Sequence, residues 1–233
     1  MMEEKCTVDI HTHILPGIDD GASSPEESLQ LAHELSRQGV TIVAATPHFY
    51  ADRENPSDFF DRRQNAISLF SDKLDKSITV LPGAEVCYYQ GISRTERLPD
   101  FVIGQTNLIL LEMPFCDWTQ SVINEVCSIQ RDRKLQVVIA HIDRYMSKKN
   151  IEYMEDMLRL GVLFQINASA FLDKKRKNTA LNMLKNRTVH FVASDCHNMI
   201  ARTPKLLDAY EIIEKKLGSD SLKWLCEQSK IYF

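Results

Sequence analysis

Along the 233 residues, short unbroken apolar runs alternate with longer stretches whose apolar residues recur at helical spacing. Seven runs, near 7–10, 40–46, 78–81, 108–111, 137–140, 162–166 and 189–193, are rich in Val, Ile and Leu and read as strands. A run such as 40–46, with almost no polar alternation, predicts a strand buried on both faces, the habit of parallel sheets. Between the runs lie amphipathic segments. The first opens at Ser24-Pro25-Glu26-Glu27, a capping box with proline at the first helical position, carries Leu29, Ala32 and Leu35 on one side and stops at Gly39. Others are predicted near 58–75, 119–133, 150–160, 174–186, 204–217 and 219–229, while 86–106 is irregular. Strict strand–helix alternation with short connections implies a parallel sheet. Its closed form is an α/β fold, a distorted (β/α)7 barrel related to the TIM barrel, and the absence of a linker-like stretch predicts one domain over 1–233. An open doubly wound sheet is the alternative.

The polar residues that end the strands change the picture. His11 and His13 follow the first strand two residues apart, so both project from one face. His48, Glu85, Glu112 and His141 end the next four runs, the sixth run ends at Asn167, and Asp195-Cys196-His197 ends the seventh. In barrels, the C-terminal strand ends are where residues from several strands meet in an active site. With Asp20, this makes nine candidate ligands of nitrogen and oxygen type without a thiolate, a set that suits manganese, iron or zinc better than calcium. Nine are too many for one ion, and a bridging carboxylate such as Glu85 predicts two or three ions, the arrangement used in phosphoester hydrolysis. The carboxylates of Asp20, Glu85, Glu112 and Asp195 are neutralised by two divalent ions, whereas three leave about two positive charges to attract a phosphate dianion. His33, on a helix, and His190, inside a strand, are read as structural.

Composition narrows the function classes. The net charge of −4 argues against general nucleic-acid binding. No apolar run has the length of a membrane span, and the start of the chain lacks the apolar run of a signal peptide, so no membrane insertion and a cytoplasmic location are expected. The six cysteines are widely spread without a Cys-x-x-Cys pair, and are expected to be reduced and mostly buried.

The motifs Asp9-Ile10-His11-Thr12-His13-Ile14-Leu15-Pro16-Gly17-Ile18-Asp19-Asp20-Gly21, Ala45-Thr46-Pro47-His48, Gly83-Ala84-Glu85, Ala140-His141-Ile142-Asp143-Arg144-Tyr145 and Ala193-Ser194-Asp195-Cys196-His197-Asn198 resemble the polymerase-and-histidinol-phosphatase (PHP) superfamily. Within it the chain is most similar to the bacterial protein-tyrosine phosphatases of capsule and exopolysaccharide operons. The resemblance implies a manganese-dependent trinuclear centre, with iron, zinc or magnesium as other metals. One ion would be held by His11, His13, Glu85 and Asp195, a second by Glu85, Glu112 and His141, and a third by Asp20, His48 and His197. Arg144 and Arg202 match the phosphate-binding arginines. The implied reaction is hydrolysis of phosphotyrosine by a metal-bridging water attacking phosphorus in line, with His48 or Asp20 as general acid where not committed to metal. The implied partner is the phosphorylated tail of a bacterial tyrosine kinase that controls polysaccharide export. Two departures are noted: Val86-Cys87-Tyr88-Tyr89, where an aromatic is expected nearer Glu85, and Asp143, where glutamate is common.

Three other readings compete. Cys196 to Arg202 fits the Cys-x5-Arg spacing of cysteine-dependent phosphatases, but the segment has no glycine for a close backbone cradle, and Asp195 and His197 are better explained as ligands. A small-molecule phosphatase of the same superfamily, acting for example on histidinol phosphate, shares the ligand set. A non-catalytic binding module would be expected to have lost ligands. Tyr50, Tyr88, Tyr89, Phe115 and Trp118 lie beyond strand ends and are candidates to line a pocket for a phenyl ring. The run Lys174-Lys175-Arg176-Lys177 reads as a solvated helix start, with steering of an acidic tail as the alternative. A homo-oligomer is left open.

Overall fold

The computed structural model describes residues 7–233. Among these residues nine strand segments are all paired in parallel: β1 (Val8–Thr12), β2 (Ile42–Ala45), β3 (His48–Phe49), β4 (Thr79–Pro82), β5 (Glu85–Cys87), β6 (Leu108–Glu112), β7 (Gln136–Ile139), β8 (Leu163–Asn167) and β9 (Phe191–Ala193). Pro47 interrupts one strand between β2 and β3, and Gly83-Ala84 interrupts its neighbour between β4 and β5, at matching heights. Gly83 N still bonds the Ala45 carbonyl at 2.9 Å and Glu85 N the Pro47 carbonyl at 3.0 Å, so the two broken strands stay side by side. The segments therefore fill the seven strand positions expected. The order runs β1-β2-β4 and then β3-β5-β6-β7-β8-β9. The ends also meet: Asp195 N bonds the His11 carbonyl and His13 N the Cys196 carbonyl, both at 2.9 Å. The sheet curls into a distorted barrel.

Among the described residues eight α-helices surround it: α1 (Pro25–Arg37), α2 (Pro56–Ser68), α3 (Gln120–Arg133), α4 (Lys148–Arg159), α5 (Ala168–Leu172), α6 (Lys177–Lys185), α7 (Leu206–Leu217) and α8 (Ser219–Tyr232). Ser24 caps α1 through its hydroxyl, which accepts from Glu27 N at 3.3 Å. Glu27 reaches back to Ser23 rather than to Ser24, so the box closes one residue earlier than predicted. The segment 58–75 is shorter than its apolar pattern suggests: α2 ends at Ser68, and a 3-10 turn, Ser71–Lys73, follows. The basic run 174–177 is largely a turn before α6, and α5 directly after β8 was not anticipated.

Two apolar cores hold the barrel. The larger packs the helices onto the sheet and contains Leu31, Leu35, Phe59, Val126, Phe164 and Ile213; the smaller fills the lumen with Val8, Ile10, Leu108, Leu110, Val138, Ala140, Leu163 and Ala193. Alternation along a strand then places polar residues above the lumen plug. Leu108 and Leu110 are followed on their face by Glu112, Leu163 by Gln165 and Asn167, and Phe191 and Ala193 by Asp195. Four cysteines, Cys87, Cys116, Cys127 and Cys196, are free, and only Cys196 of these is buried. Cys226 is disulfide-bonded, which corrects the expectation of uniformly reduced thiols; Cys6 lies outside the described residues.

His190 is structural, as expected. Its Nδ1 accepts from Phe164 N at 3.1 Å, and burial pushes its pKa down to about 4. The unfolded chain, with a histidine near 6.5, binds the proton first as pH falls. Stability from this group is thus complete above about pH 6.5 and is lost as pH falls toward 4. Because His190 is half-buried, the expected loss between pH 7 and pH 5 is about 1–2 kcal/mol. In His190→Asn the Oδ1 atom takes the place of Nδ1 without titrating. Urea unfolding at the two pH values should show a smaller drop for the variant, and equal drops would refute the assignment.

Candidate metal centre

All nine predicted ligands converge at the C-terminal mouth of the barrel, and seven of them, His11, His13, Glu85, Glu112, His141, Asp195 and His197, are buried. Glu85 is the hub. Its Oε2 lies 3.3 Å from His11 Nε2, 3.3 Å from His13 Nε2 and 3.0 Å from His48 Nδ1, and its Oε1 lies 2.8 Å from His141 Nε2. Glu112 approaches His141 Nε2 at 3.4 Å. Asp195 Oδ1 stands 3.6, 3.5 and 3.6 Å from His11, His13 and His197. Asp20, at the solvent rim, is 3.5 Å from His48 Nε2 and 3.4 Å from His197 Nε2.

Local backbone geometry brings these groups together. Register slips between Asp9 and Thr12 in β1. Beyond the slip His11 and His13 face the lumen, while Thr12 Oγ1 bonds the Ala44 carbonyl in the wall at 2.8 Å. The turn after His13 folds back so tightly that a Cβ on Gly21 would sit 2.1 Å from the His13 carbonyl, so the Asp-Gly step requires glycine. His141 and Asp195 adopt left-handed backbone, with φ of 32° and 50°. That conformation is costly for non-glycine residues and tends to cluster at functional sites.

The ring orientations can be read from definite donors and acceptors. Asp19 Oδ2 lies 2.7 Å from His13 Nδ1 and also accepts from His48 N at 3.0 Å. Arg202 Nη1 donates to His197 Nε2 at 2.7 Å, and His197 Nδ1 faces the Asp195 carbonyl at 3.1 Å. His11 and His13 bring their Nε2 atoms within 3.2 Å of each other. Burial opposes charge on His13, but Asp19 and Glu85 outweigh it and lift its pKa to about 10. Burial likewise opposes charge on His141, and Glu112 and Glu85 raise it to about 9. His197 goes the other way, to about 4, through burial and the charge on His13. Although burial works against ionisation of Glu85 and Asp195, the surrounding imidazoles hold both well below the usual carboxylate range.

Imidazole nitrogens and carboxylate oxygens packed this closely form a donor set suited to cations. Three groups each place their ligand atoms within 4.8 Å: His13, Asp20, His48 and His197; His11, His13 and Asp195; and His48, Glu85 and Glu112. They overlap the expected partition, except that Glu85 is absent from the set of His11, His13 and Asp195, His48 stands beside Glu85 and Glu112 where His141 was expected, and His13 joins the third set. His141 remains in reach of both carboxylates.

Arg144 and Arg202 both meet Asp195 Oδ2 at 2.8 Å, with about a third of each side chain exposed. They form one edge of the mouth. On another side a cavity of about 500 Å³ is lined by Asp20, His48, Tyr50 and Arg53. A smaller one of about 200 Å³ lies against Phe115, Arg144 and Tyr145. Of the predicted aromatics, Tyr50 and Phe115 line these openings, and Phe115 stacks over His141 at 6.0 Å. Trp118 is fully buried core instead, and Tyr88 and Tyr89 pack against the core. Cys196 is completely buried beside Asp9, and burial pushes its thiol pKa far up, so the Cys-x5-Arg reading fails. Arg176 of the basic run pairs with buried Asp143 at 2.7 Å.

Sequence reading missed Gln165 and Asn167. Gln165 Oε1 contacts His141 N at 2.6 Å and His11 Nδ1 at 3.2 Å, and Asn167 Nδ2 donates to Asp195 Oδ2 at 2.6 Å. The available signal was two polar residues, alternating at the end of an otherwise apolar strand.

A curled parallel α/β barrel with clustered histidines and carboxylates at its C-terminal mouth defines the chain as a PHP-type barrel. The family model for capsular polysaccharide synthesis, CpsB/CapC, matches residues 7–230, and the chain belongs to that family. It is 32% identical to the tyrosine-protein phosphatase CpsB of Streptococcus agalactiae serotype III (strain NEM316), covering 91% of this chain and 92% of that protein. It is 28% identical to the tyrosine-protein phosphatase YwqE of Bacillus subtilis (strain 168), covering 96% and 90%. A solved structure from work on YwqE of Bacillus subtilis and CpsB of Streptococcus pneumoniae, described as unique metal-dependent tyrosine phosphatases, superposes with a TM-score of 0.84 at 27% identity, covering 97% of this chain and 93% of that one. The phosphotriesterase homology protein of Escherichia coli shares the fold alone, at TM-score 0.57 and 12% identity.

Proposed function

We propose that residues 1–233 act as a single metal-dependent protein-tyrosine phosphatase domain in the cytoplasm, hydrolysing phosphotyrosine in the tail of a bacterial tyrosine kinase of capsule or exopolysaccharide synthesis. The observation that carries the reading is a cluster of nine imidazole and carboxylate groups at one mouth, four of the imidazoles meeting the buried hub Glu85, with two arginines at its edge. His11, His13, Glu85 and Asp195 would hold one ion, Glu85, Glu112 and His141 a second, and Asp20, His48 and His197 a third, manganese being the proposed metal. Bound divalent ions supply Lewis acidity and a low pKa for water at neutral pH.

The chain's own groups do the rest. The planar forks of Arg144 and Arg202, which converge on one oxygen of Asp195, would take two phosphoryl oxygens and hold the ester in line. His48 or Asp20, at the partly exposed rim, would pass a proton to the departing oxygen only where it is not committed to the third ion. A tyrosine leaving group has a pKa of about 10, so that proton matters less than it would for an alkyl ester. Tyr50 and Phe115, beside the two openings, offer apolar faces to a phenyl ring.

The test is a comparison of kcat/KM for a phosphotyrosyl peptide and for L-histidinol phosphate on the manganese-loaded protein. The peptide should be favoured by about 100-fold or more, since only it supplies an aryl leaving group and a flanking chain. A preference for histidinol phosphate would move the assignment to small-molecule phosphatases.

A further inference from the structure

Strand β8 brings no histidine or acid to the mouth, yet its last two lumen-facing residues are polar and buried, Gln165 at 0% exposure and Asn167 at 2%. They form a directed chain. Gln165 Oε1 accepts from His141 N at 2.6 Å and lies 3.2 Å from His11 Nδ1. Gln165 Nε2 donates to Asn167 Oδ1 at 2.9 Å, and Asn167 Nδ2 donates to Asp195 Oδ2 at 2.6 Å. Both ends dictate the same direction. A backbone N–H can only donate, so the carbonyl oxygen of Gln165 must face His141 N. An ionised carboxylate can only accept, so the amide nitrogen of Asn167 must face Asp195. The remaining lone pair of Gln165 Oε1 then suits only an N–H on His11 Nδ1. That leaves His11 Nε2 without a proton, and this is the atom 3.3 Å from Glu85 Oε2 and 3.6 Å from Asp195 Oδ1.

We infer that Gln165 is a positioning residue for the ion site: its single carbonyl oxygen holds His11 in the Nδ1–H tautomer and pins the left-handed backbone at His141, so that both Nε2 atoms face the cluster. Asp19 does the same for His13, at 2.7 Å from Nδ1. A histidine that binds metal commonly donates its other N–H to an oxygen that fixes the ring. At β8 a neutral amide meets two demands that a carboxylate fails. It donates to Asn167, and it adds no negative charge beside Glu85, Glu112 and Asp195. The inference rests on the reading of the cluster as a metal centre.

The experiment uses the full chain loaded with diamagnetic Zn²⁺, with ¹⁵N-labelled histidine for long-range ¹H–¹⁵N correlation, together with Mn²⁺ titration of wild type and Gln165→Leu. In wild type His11 should carry its proton on Nδ1 and the ion on Nε2. Gln165→Leu should bind at least one Mn²⁺ about 10- to 100-fold more weakly, with His11 split between tautomers. A merely structural loss would lower the melting temperature without changing the tautomer. A wild-type His11 protonated on Nε2, or a Gln165→Leu protein binding Mn²⁺ within about twofold of wild type, would overturn the role. Should the variant fail to fold, the wild-type spectrum alone decides. Wild type binding no ion at all overturns the metal reading and this role with it, an outcome distinct from intact binding in Gln165→Leu.

Discussion

Glu85→Ala should abolish phosphotyrosyl-peptide hydrolysis, lowering kcat/KM by about 1,000-fold or more, which corresponds to about 4 kcal/mol of transition-state stabilisation. The size follows from its position. Both carboxylate oxygens are engaged, within 3.3 Å of nitrogens on His11, His13, His48 and His141, and the side chain is 1% exposed. Among the described residues no other carboxylate touches four imidazoles, drawn here from three different motifs. Asp195 meets His11, His13 and His197, and Asp20 meets His48 and His197. Without Glu85 the proposed first and second ions lose their shared ligand together, and the buried imidazoles of His11, His13 and His141 lose the one counter-charge they share, leaving only Asp195, Asp19 and Glu112 beside them. Steady-state kinetics on the variant, with ions counted by mass spectrometry and folding checked by circular dichroism, measures the effect. Activity retained within about tenfold of wild type would refute the bridging role.

Removal of divalent ions is expected to have an effect of similar size. Dialysis against EDTA should reduce turnover by at least about 100-fold, and re-addition should restore it, best with Mn²⁺. Ion uptake should also stabilise the fold, because ions that bind only the folded chain raise its stability by mass action. The pH dependence has a definite sign. His13, lifted to about 10 by Asp19 and Glu85 over the opposition of burial, and His141, lifted to about 9, hold protons at neutral pH that an ion must displace. Binding therefore releases protons and weakens as pH falls. Calorimetric titrations in buffers of different ionisation enthalpy would detect the release. Activity indifferent to chelator after exhaustive dialysis would refute metal dependence.

Much of this was legible in the chain because the governing signals are local. Strand position depends on runs of Val, Ile and Leu such as 40–46 and 108–111, and the lumen face follows from a period of two. Once a barrel is assumed, its rule that the C-terminal strand ends share one mouth gathers His11, His13, His48, Glu85, Glu112, His141, Asp195 and His197 without further information. The capping of α1 follows equally from neighbouring residues.

Other features needed the folded chain, because they depend on distances between strands far apart in sequence. The breaks at Pro47 and Gly83-Ala84 come at the same height only because β2 and β4 pair in register, with Ala45 opposite Pro82. Whether Trp118 lines a pocket or fills a core depends on Tyr145, whose ring centroid lies 5.4 Å away. Cys196 sits at a suggestive spacing from Arg202, but complete burial beside Asp9 removes it from nucleophilic chemistry. Gln165 and Asn167 carried no motif, since an amide becomes informative only when its partners are known. Sequence by itself determined which residue types arrive at the mouth of the barrel, because strand ends are set by local hydrophobic pattern. Tertiary structure decided which atoms face one another there, because the tautomers, shared oxygens and left-handed turns at His141 and Asp195 are fixed by hydrogen bonds between strands that the chain order keeps apart.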